Sequence, residues 1–101
     1  MKDVRITVLD RLILQDLADQ YGPAGLQPCG QFTNRQVFIS RRGNMPDGFC
    51  EEAWKSFHHF VFAMSRGMDT FFPGWDNKTV ISACNDGLRP VIFKLEVIEN
   101  N

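Results

Sequence analysis

The feature that most constrains the fold is one amphipathic segment, residues 51–66. With about 3.6 residues per turn, its apolar side chains fall within one arc of roughly 120°, the width of a helix face buried against a sheet. These side chains are Ala53, Trp54, Phe57, Phe60, Val61 and Met64. Pro46 and the Asp47-Gly48 pair come before the segment, and Gly67 follows it where a left-handed cap is favoured. The pattern predicts one long helix packed on a sheet.

Four shorter segments predict β-strands. In the first, residues 3–9, Val4, Ile6 and Val8 alternate with polar residues, as in a strand with one buried face. The other predicted strands are residues 36–40, 78–84 and 89–99. With the long helix they predict an α+β fold in two layers, a mainly antiparallel sheet of about four strands with that helix on one face.

A shorter N-terminal helix is predicted over about residues 10–20. Asp10 can cap its start, and Gly22-Pro23 can end it. The alternative, that the first strand continues further, stays open because Leu12-Ile13-Leu14 is itself an apolar run. Residues 22–35 contain too many Gly and Pro residues for regular structure, so they predict a long loop, and such loops are often functional.

Composition limits the class of protein. A chain of 101 residues with 44% hydrophobic residues predicts a single domain, residues 1–101, with a core that needs no metal or disulfide. With a net charge of −1, the composition gives no sign of a basic nucleic-acid-binding surface, and we expect no nucleic-acid partner. The sequence shows neither a signal peptide nor a membrane span, and its three widely spaced cysteines predict reduced thiols. We therefore expect a soluble cytoplasmic protein.

Cys50 is the strongest candidate for a reactive group, because it comes just before the long predicted helix. Free backbone N–H groups and the positive end of the helix dipole stabilise a thiolate there, which is the nucleophilic and metal-binding form of cysteine. The carboxylates of Glu51 and Glu52 oppose this effect. The alternative is a buried cysteine that serves as a small hydrophobic residue.

Cys29 and Cys84 are predicted to lie in a loop and at a strand end, where binding residues often occur. If the long loop folds back over the central helix, these two cysteines meet Cys50 in one pocket, lined also by Trp54 and His58. His58 would then be a fourth ligand for a thiolate-bound metal. The chain has no Cys-x-x-Cys or His-x-x-x-His motif, so residue spacing adds little support for a metal.

Two more features are candidates for ligand or partner contacts. Arg89 could bind an anionic ligand, or Asp86 could fix a tight turn while Arg89 pairs with a nearby acid. Residues 69–77 form an aromatic loop whose large rings are Phe71, Phe72 and Trp75. These rings either close the end of the core or form a surface for a partner.

Several of these residues also form motifs. Met45-Pro46-x-Gly48-Phe49-Cys50, the following Trp54 and Cys84-x-Asp86-Gly87-Leu88-Arg89-Pro90-Val91 resemble a family of short prokaryotic proteins, about one small domain long, that has no assigned activity. Relatives in that family commonly carry a vicinal cysteine pair where this chain has Ala83-Cys84, and a tryptophan where it has Glu52. The resemblance implies a fold class but supplies no catalytic residues, and it disfavours a role that needs adjacent thiols.

The sequence supports two alternative functions. The first is a small cytoplasmic accessory protein that binds a small molecule or metal, or performs thiol-redox chemistry, in a cysteine-lined pocket. The second is a non-enzymatic, homo-oligomeric interaction module that makes contact through residues 69–77. The sequence leaves open whether the protein is an enzyme.

Overall fold

A computed structural model describes residues 1–75 and 78–99. Its elements are β1 (Asp3–Arg11), α1 (Gln15–Tyr21), β2 (Val37–Ser40), α2 (Glu51–Ser65), β3 (Thr79–Ala83) and β4 (Val91–Ile98). The strands form one sheet in the order β2-β1-β4-β3, and every neighbouring pair is antiparallel. Helix α2 contacts β1, β3 and β4. The predicted α+β fold, with one long helix packed on an antiparallel sheet, is confirmed.

The two central strands supply most of the sheet's buried face. Alternate residues of β1 and β4 are fully buried because successive side chains of a strand point to opposite faces. The register places Ile6 opposite Leu95 and Val8 opposite Phe93. Burial of each large apolar side chain contributes about 1.5–3 kcal/mol relative to exposure, so this strand pair anchors the fold.

Helix α2 buries the face that its periodicity predicts. Ala53, Phe57, Val61 and Met64 are buried, whereas Trp54 and Phe60, at the margins of the predicted arc, are partly buried and pack against the same core. The helix ends at Ser65, and Gly67 takes a φ of 94° just beyond it. A left-handed conformation of this kind suits glycine, which has no Cβ to clash.

An aromatic cluster fills the space beneath the start of α2. Neighbouring ring centroids lie 4.8–5.9 Å apart, a range in which tilted and edge-to-face contacts are favourable. Its rings are Phe32, Phe38, Phe49, Phe57 and Phe93. Phe32 comes from the long loop between α1 and β2, and it is only 4% exposed. Its packing holds this loop against the core.

The predicted start of the short helix at Asp10 is wrong. Strand β1 continues to Arg11, and the backbone N–H groups of Leu12 and Leu14 then donate to the carbonyls of Pro90 and Leu88. These hydrogen bonds keep residues 12–14 out of the helix, because each buried or partly buried N–H needs a partner. The helix α1 that follows has only seven residues.

The other predicted strands differ from the observed ones by one or two residues at their ends. The connection between β3 and β4 spans residues 84–90, longer than the loops of about two to five residues that join most hairpins. Within the described ranges, neither helix is long and apolar enough to cross a membrane.

Candidate functional site

A cleft of about 230 Å³ lies where three distant segments meet. The loop between α1 and β2 contributes Cys29, the residue before α2 contributes Cys50, and the residue after β3 contributes Cys84. All three cysteines are free thiols and partly buried. The long loop therefore folds back over the start of α2, and the three cysteines line one cavity, as the sequence predicted for that case.

The remaining walls of the cleft divide into an apolar part and a polar part. Buried Phe32, Ala53 and Val91 supply the apolar walls. The polar walls are formed by Gln31, Glu52, Asn85, Asp86 and Arg89. Cavities with mainly apolar walls and a few polar groups are typical binding sites for small molecules.

Cys84 has a structural role at the end of the β3–β4 ladder. Its backbone N–H donates to the carbonyl of Val91 at 3.0 Å. The N–H of Val91 donates in turn to Cys84 Sγ at 3.3 Å. In a regular antiparallel pair a backbone carbonyl accepts this second bond. The Cys84 sulfur thus replaces that acceptor and is held at a defined place on the cleft wall.

The other two sulfurs differ in their partners. Cys29 Sγ accepts a hydrogen bond from the backbone N–H of Gln31 at 3.4 Å, and the carbonyl of Cys29 accepts one from Arg11 Nη1 at 3.1 Å. Cys50 occupies the N-cap of α2, but its side chain makes no capping hydrogen bond. Within the part of the chain that the structure describes, Cys50 Sγ has no hydrogen-bonding partner. Its sulfur is the least constrained of the three.

A hydrogen bond joins two sides of the cleft. Asn85 Nδ2 donates to Glu52 Oε2 at 2.9 Å. This bond, reinforced by the nearby Lys55 ammonium, lowers the pKa of the Glu52 carboxyl from its ordinary value. It ties the first turn of α2, just after Cys50, to the connection that begins at Cys84.

Asp86 organises the connection between β3 and β4. Its Oδ1 accepts hydrogen bonds from the backbone N–H groups of Leu88 and Arg89, both at 2.9 Å, and these bonds lower the pKa of the Asp86 carboxyl. Arg89 Nε donates to Asp86 Oδ2 at 3.3 Å. The alternative in which Asp86 fixes a turn and Arg89 pairs with an acid is therefore supported. With Glu52 also present, the cleft has no excess of positive charge for an anion.

Trp54 and His58 are not among the residues that line the cleft. The Trp54 ring packs on Phe49 and Phe57, with centroid distances of 6.4 and 6.1 Å. His58 is exposed, and its ring lies 6.0 Å from the Trp54 ring. Trp54 lies about one turn and His58 about two turns along α2 from Cys50. Their side chains therefore lie farther along the helix than the cleft, which is at its start.

No group of three or more His, Cys, Asp or Glu side chains in residues 1–75 and 78–99 could hold a metal ion. The four predicted ligands Cys29, Cys50, Cys84 and His58 therefore form no metal site in this arrangement. A zinc site needs ligand atoms about 2.0–2.3 Å from a shared centre, which is a stricter condition than sharing a cavity wall. The prediction of a thiolate-bound metal has no support in the geometry.

Sequence reasoning did not assign Phe32, Glu52 and Asn85 to the site. The signal for Phe32 was a large aromatic ring in a segment otherwise rich in polar residues, glycine and proline. The Glu52–Asn85 hydrogen bond had no local signal, because its two residues belong to elements that meet only in the folded chain.

The aromatic loop divides into two parts. Phe71 is partly buried and packs on Phe60 of α2, with 5.4 Å between ring centroids. Phe72 and Trp75 pack on each other at 4.9 Å, and Trp75 remains 50% exposed. Residues 76 and 77 of the predicted loop lie outside the described residues. Phe71 thus extends the core. Phe72 contacts both Phe60, with 5.8 Å between ring centroids, and Trp75, and the exposed parts of Phe72 and Trp75 form an apolar patch on the surface.

Comparisons of the chain with protein-family models, curated proteins and solved structures found no match. The family resemblance drawn from the motifs stays a prediction. The case for a function rests on the geometry of the cleft.

Proposed function

We propose that this protein binds a small molecule in the three-cysteine cleft and that the cysteine thiols are its chemically active groups. The observation that carries this proposal is the meeting of Cys29, Cys50 and Cys84, the chain's three cysteines, at one cavity. They come from three separate segments, so their meeting at one cavity depends on the tertiary fold and not on a local motif. Their reduced state suits the reducing cytoplasm, where we place the protein.

The walls of the cleft define the chemistry of the ligand. Apolar walls favour a compound with an apolar body, and the polar residues can orient one polar end of it. The Asp86–Arg89 pair and the Glu52 carboxylate give no net attraction for an anion. We therefore propose a small, uncharged ligand able to react with or pack against thiols.

Alkylation by monobromobimane, a small uncharged thiol reagent, tests this proposal. Three variants each retain one cleft cysteine, with the other two replaced by serine. The matched control replaces all three by serine and adds Lys55→Cys, because Lys55 lies on the exposed side of α2 near its start. The observed alkylation rate of each variant is measured over a wide range of reagent concentration.

Reversible binding before reaction makes the rate level off at high reagent concentration. We expect this saturation for the cleft cysteines and a linear dependence for the Lys55→Cys control. A linear dependence for all three cleft cysteines, at rates equal to the control, would overturn the proposal.

A second candidate is the homo-oligomeric module. The specific observation that favours it is the exposed contact between Phe72 and Trp75, since apolar surface of this kind is often covered by a partner. Light scattering across a dilution series tests it, with Trp75→Ala as the matched variant. Self-association is supported if the particle mass of the wild type falls on dilution and the mass of Trp75→Ala is that of a monomer even at high concentration. A monomer at every concentration excludes it.

A further inference from the structure

The three cleft thiols are not equivalent, and their differences point to a reaction. We infer that Cys50 and Cys84 form a dithiol pair that reduces a small organic disulfide bound in the cleft, Cys50 as the attacking thiol and Cys84 as the resolving thiol. This inference rests on the proposed function, because it requires that the cleft admit a small molecule.

Cys50 is assigned as the attacking thiol from its hydrogen bonding. The sulfurs of Cys29 and Cys84 each accept a backbone N–H, whereas Cys50 Sγ has no partner within the described residues. A side chain without such a bond is free to rotate, so the Cys50 sulfur can align with the S–S bond of a molecule in the cleft. Its place on the cleft wall makes it accessible to a molecule bound there.

Cys84 is assigned as the resolving thiol because the chain ties its segment to that of Cys50. The 2.9 Å hydrogen bond between Glu52 and Asn85 joins the second residue after Cys50 to the residue next to Cys84. The Val91 N–H holds the Cys84 sulfur, a partly buried thiol, at a defined place in the cleft. Cys29, by contrast, lies on the loop between α1 and β2, and its carbonyl accepts a hydrogen bond from Arg11 of β1.

The reaction has two exchange steps, each of which forms one S–S bond and breaks another. The Cys50 thiolate attacks one sulfur of the bound disulfide RS–SR, forms a Cys50–S–S–R bond and releases RS⁻. The Cys84 thiolate then attacks the Cys50 sulfur, forms the Cys50–Cys84 disulfide and releases the second RS⁻. Each released thiolate takes up the proton that a cysteine gave up. The protein loses two electrons, and the substrate disulfide gains them.

Charge on the cleft walls selects among disulfides. Glu52 and Asp86 place two carboxylates there against the one guanidinium of Arg89, which Asp86 already engages. An anionic disulfide meets repulsion, and a neutral one does not. We therefore assign an uncharged small disulfide as the substrate class.

Reaction of the full chain with bis(2-hydroxyethyl) disulfide tests the inference. Released 2-mercaptoethanol is quantified by chromatography, and the bonded cysteines are identified by mass spectrometry after acid quenching. We expect the wild type to release two thiol molecules per chain and to form the Cys50–Cys84 disulfide. Cys84→Ser should release one and retain a mixed disulfide at Cys50. Cys50→Ser should react about tenfold or more slowly.

The variants are chosen to fold. Serine is a favoured N-cap residue at position 50, and at position 84 its hydroxyl can still accept from the N–H of Val91. Far-UV circular dichroism and a thermal melt verify each variant before the kinetics. As a charge control, 3,3′-dithiodipropionate should react several-fold more slowly with the wild type than the neutral disulfide does, and a Glu52→Gln variant should reduce that difference.

The two proposals fail in different ways. Saturable bimane alkylation without thiol release, or with one thiol molecule released by the wild type, overturns the disulfide reaction and leaves small-molecule binding intact. A Cys50→Ser variant that reacts as fast as the wild type also overturns it. Linear bimane kinetics at all three cysteines, at rates equal to that of the Lys55→Cys control, would remove the proposed function, and with it the basis of the exchange reaction.

Discussion

The side-chain amide of Asn85 donates a 2.9 Å hydrogen bond to the carboxylate of Glu52, across the mouth of the three-cysteine cleft. It joins the first turn of α2 to the connection between β3 and β4, two parts of the chain that are separated by most of α2 and by β3. The walls that carry Cys50 and Cys84 are therefore fixed to each other by polar contacts as well as by the core beneath them.

The first prediction concerns the titration of Glu52. The Asn85 amide and, to a smaller extent, Lys55 lower the pKa of Glu52 below its ordinary value of 4.5. A depressed folded-state pKa means that the stabilisation is present above the ordinary value and is lost as the pH falls through the folded-state value. We expect Asn85→Ala to raise the pKa of Glu52, measured by ¹³C NMR of the side-chain carboxyl group.

Glu99 is the internal control for this titration. Its pKa is lowered by Lys2 and Lys78, which do not contact Glu52, so it should not change in Asn85→Ala. Equal shifts of both carboxyl groups would indicate a global change instead of the loss of one hydrogen bond. An unchanged pKa of Glu52 would show that the bond does not persist in solution.

The second prediction concerns the turn that Asp86 holds. Asp86→Ala removes the acceptor for the N–H groups of Leu88 and Arg89, and it should lower the free energy of unfolding by about 1–2 kcal/mol, the usual cost of such partly exposed bonds. Asp86→Asn keeps an acceptor oxygen and should cost less than about 1 kcal/mol. Urea unfolding at pH 7 measures both changes. Equal losses would show that the charge, not the acceptor, holds the turn.

The same carboxyl gives a pH dependence. Because backbone hydrogen bonds lower the pKa of Asp86, its contribution is complete above the ordinary value of 3.8 and disappears as the pH falls below it. The difference in stability between the wild type and Asp86→Ala should therefore shrink on acidification.

Features set by neighbouring residues could be predicted from the sequence. The buried face of α2 follows from the spacing of Phe57, Val61 and Met64, and the buried face of β4 follows from simple alternation. The turn at Asp86 could be anticipated because its acceptor and donors lie within three residues of each other. Such features depend on geometry that a short segment carries by itself.

Features set by distant pairing could not be predicted. The order β2-β1-β4-β3 depends on contacts such as Ile6 with Leu95, which no periodicity specifies. The short helix begins late because Leu12 and Leu14 pair with the backbone near Pro90, and this tertiary pairing outweighs the cap at Asp10.

The candidate site combines both kinds of feature. Cys50 was placed correctly before a helix by the local pattern. Its meeting with Cys29, however, depends on how the long loop packs, and that depends on Phe32 in the aromatic cluster. From the sequence alone, the three cysteines were predicted to meet only if the long loop folds back over the central helix.

The third prediction tests that dependence. Phe32 packs on Phe38, Phe49 and Phe93, so Phe32→Ala should cost about 3–5 kcal/mol of unfolding free energy, and Phe32→Leu a smaller amount because less volume is lost. If Phe32→Leu stays folded, its amide hydrogen exchange relative to the wild type should increase more around Cys29 than in β1. Unchanged exchange in the loop would show that other contacts hold it.

The fourth prediction concerns the turn that leads into α2. The backbone N–H of Phe49 donates to the carbonyl of Pro46 at 3.2 Å, and Gly48 within this turn has a φ of 72°. No atom other than its chain neighbours lies within 4 Å of a Cβ added at Gly48, so Gly48→Ala would be strained by the backbone conformation alone. We expect a loss of about 1 kcal/mol in urea unfolding.

Gly87 supplies the matched control. A Cβ added there also meets no atom within 4 Å, but its φ lies outside the range that L residues rarely adopt. Gly87→Ala should therefore be neutral or stabilise the protein by up to about 1 kcal/mol, because alanine restricts the unfolded chain. The difference between the two substitutions isolates the conformational requirement of the turn before Cys50. Equal effects would mean that the positive φ at Gly48 is not needed to begin α2 at this position.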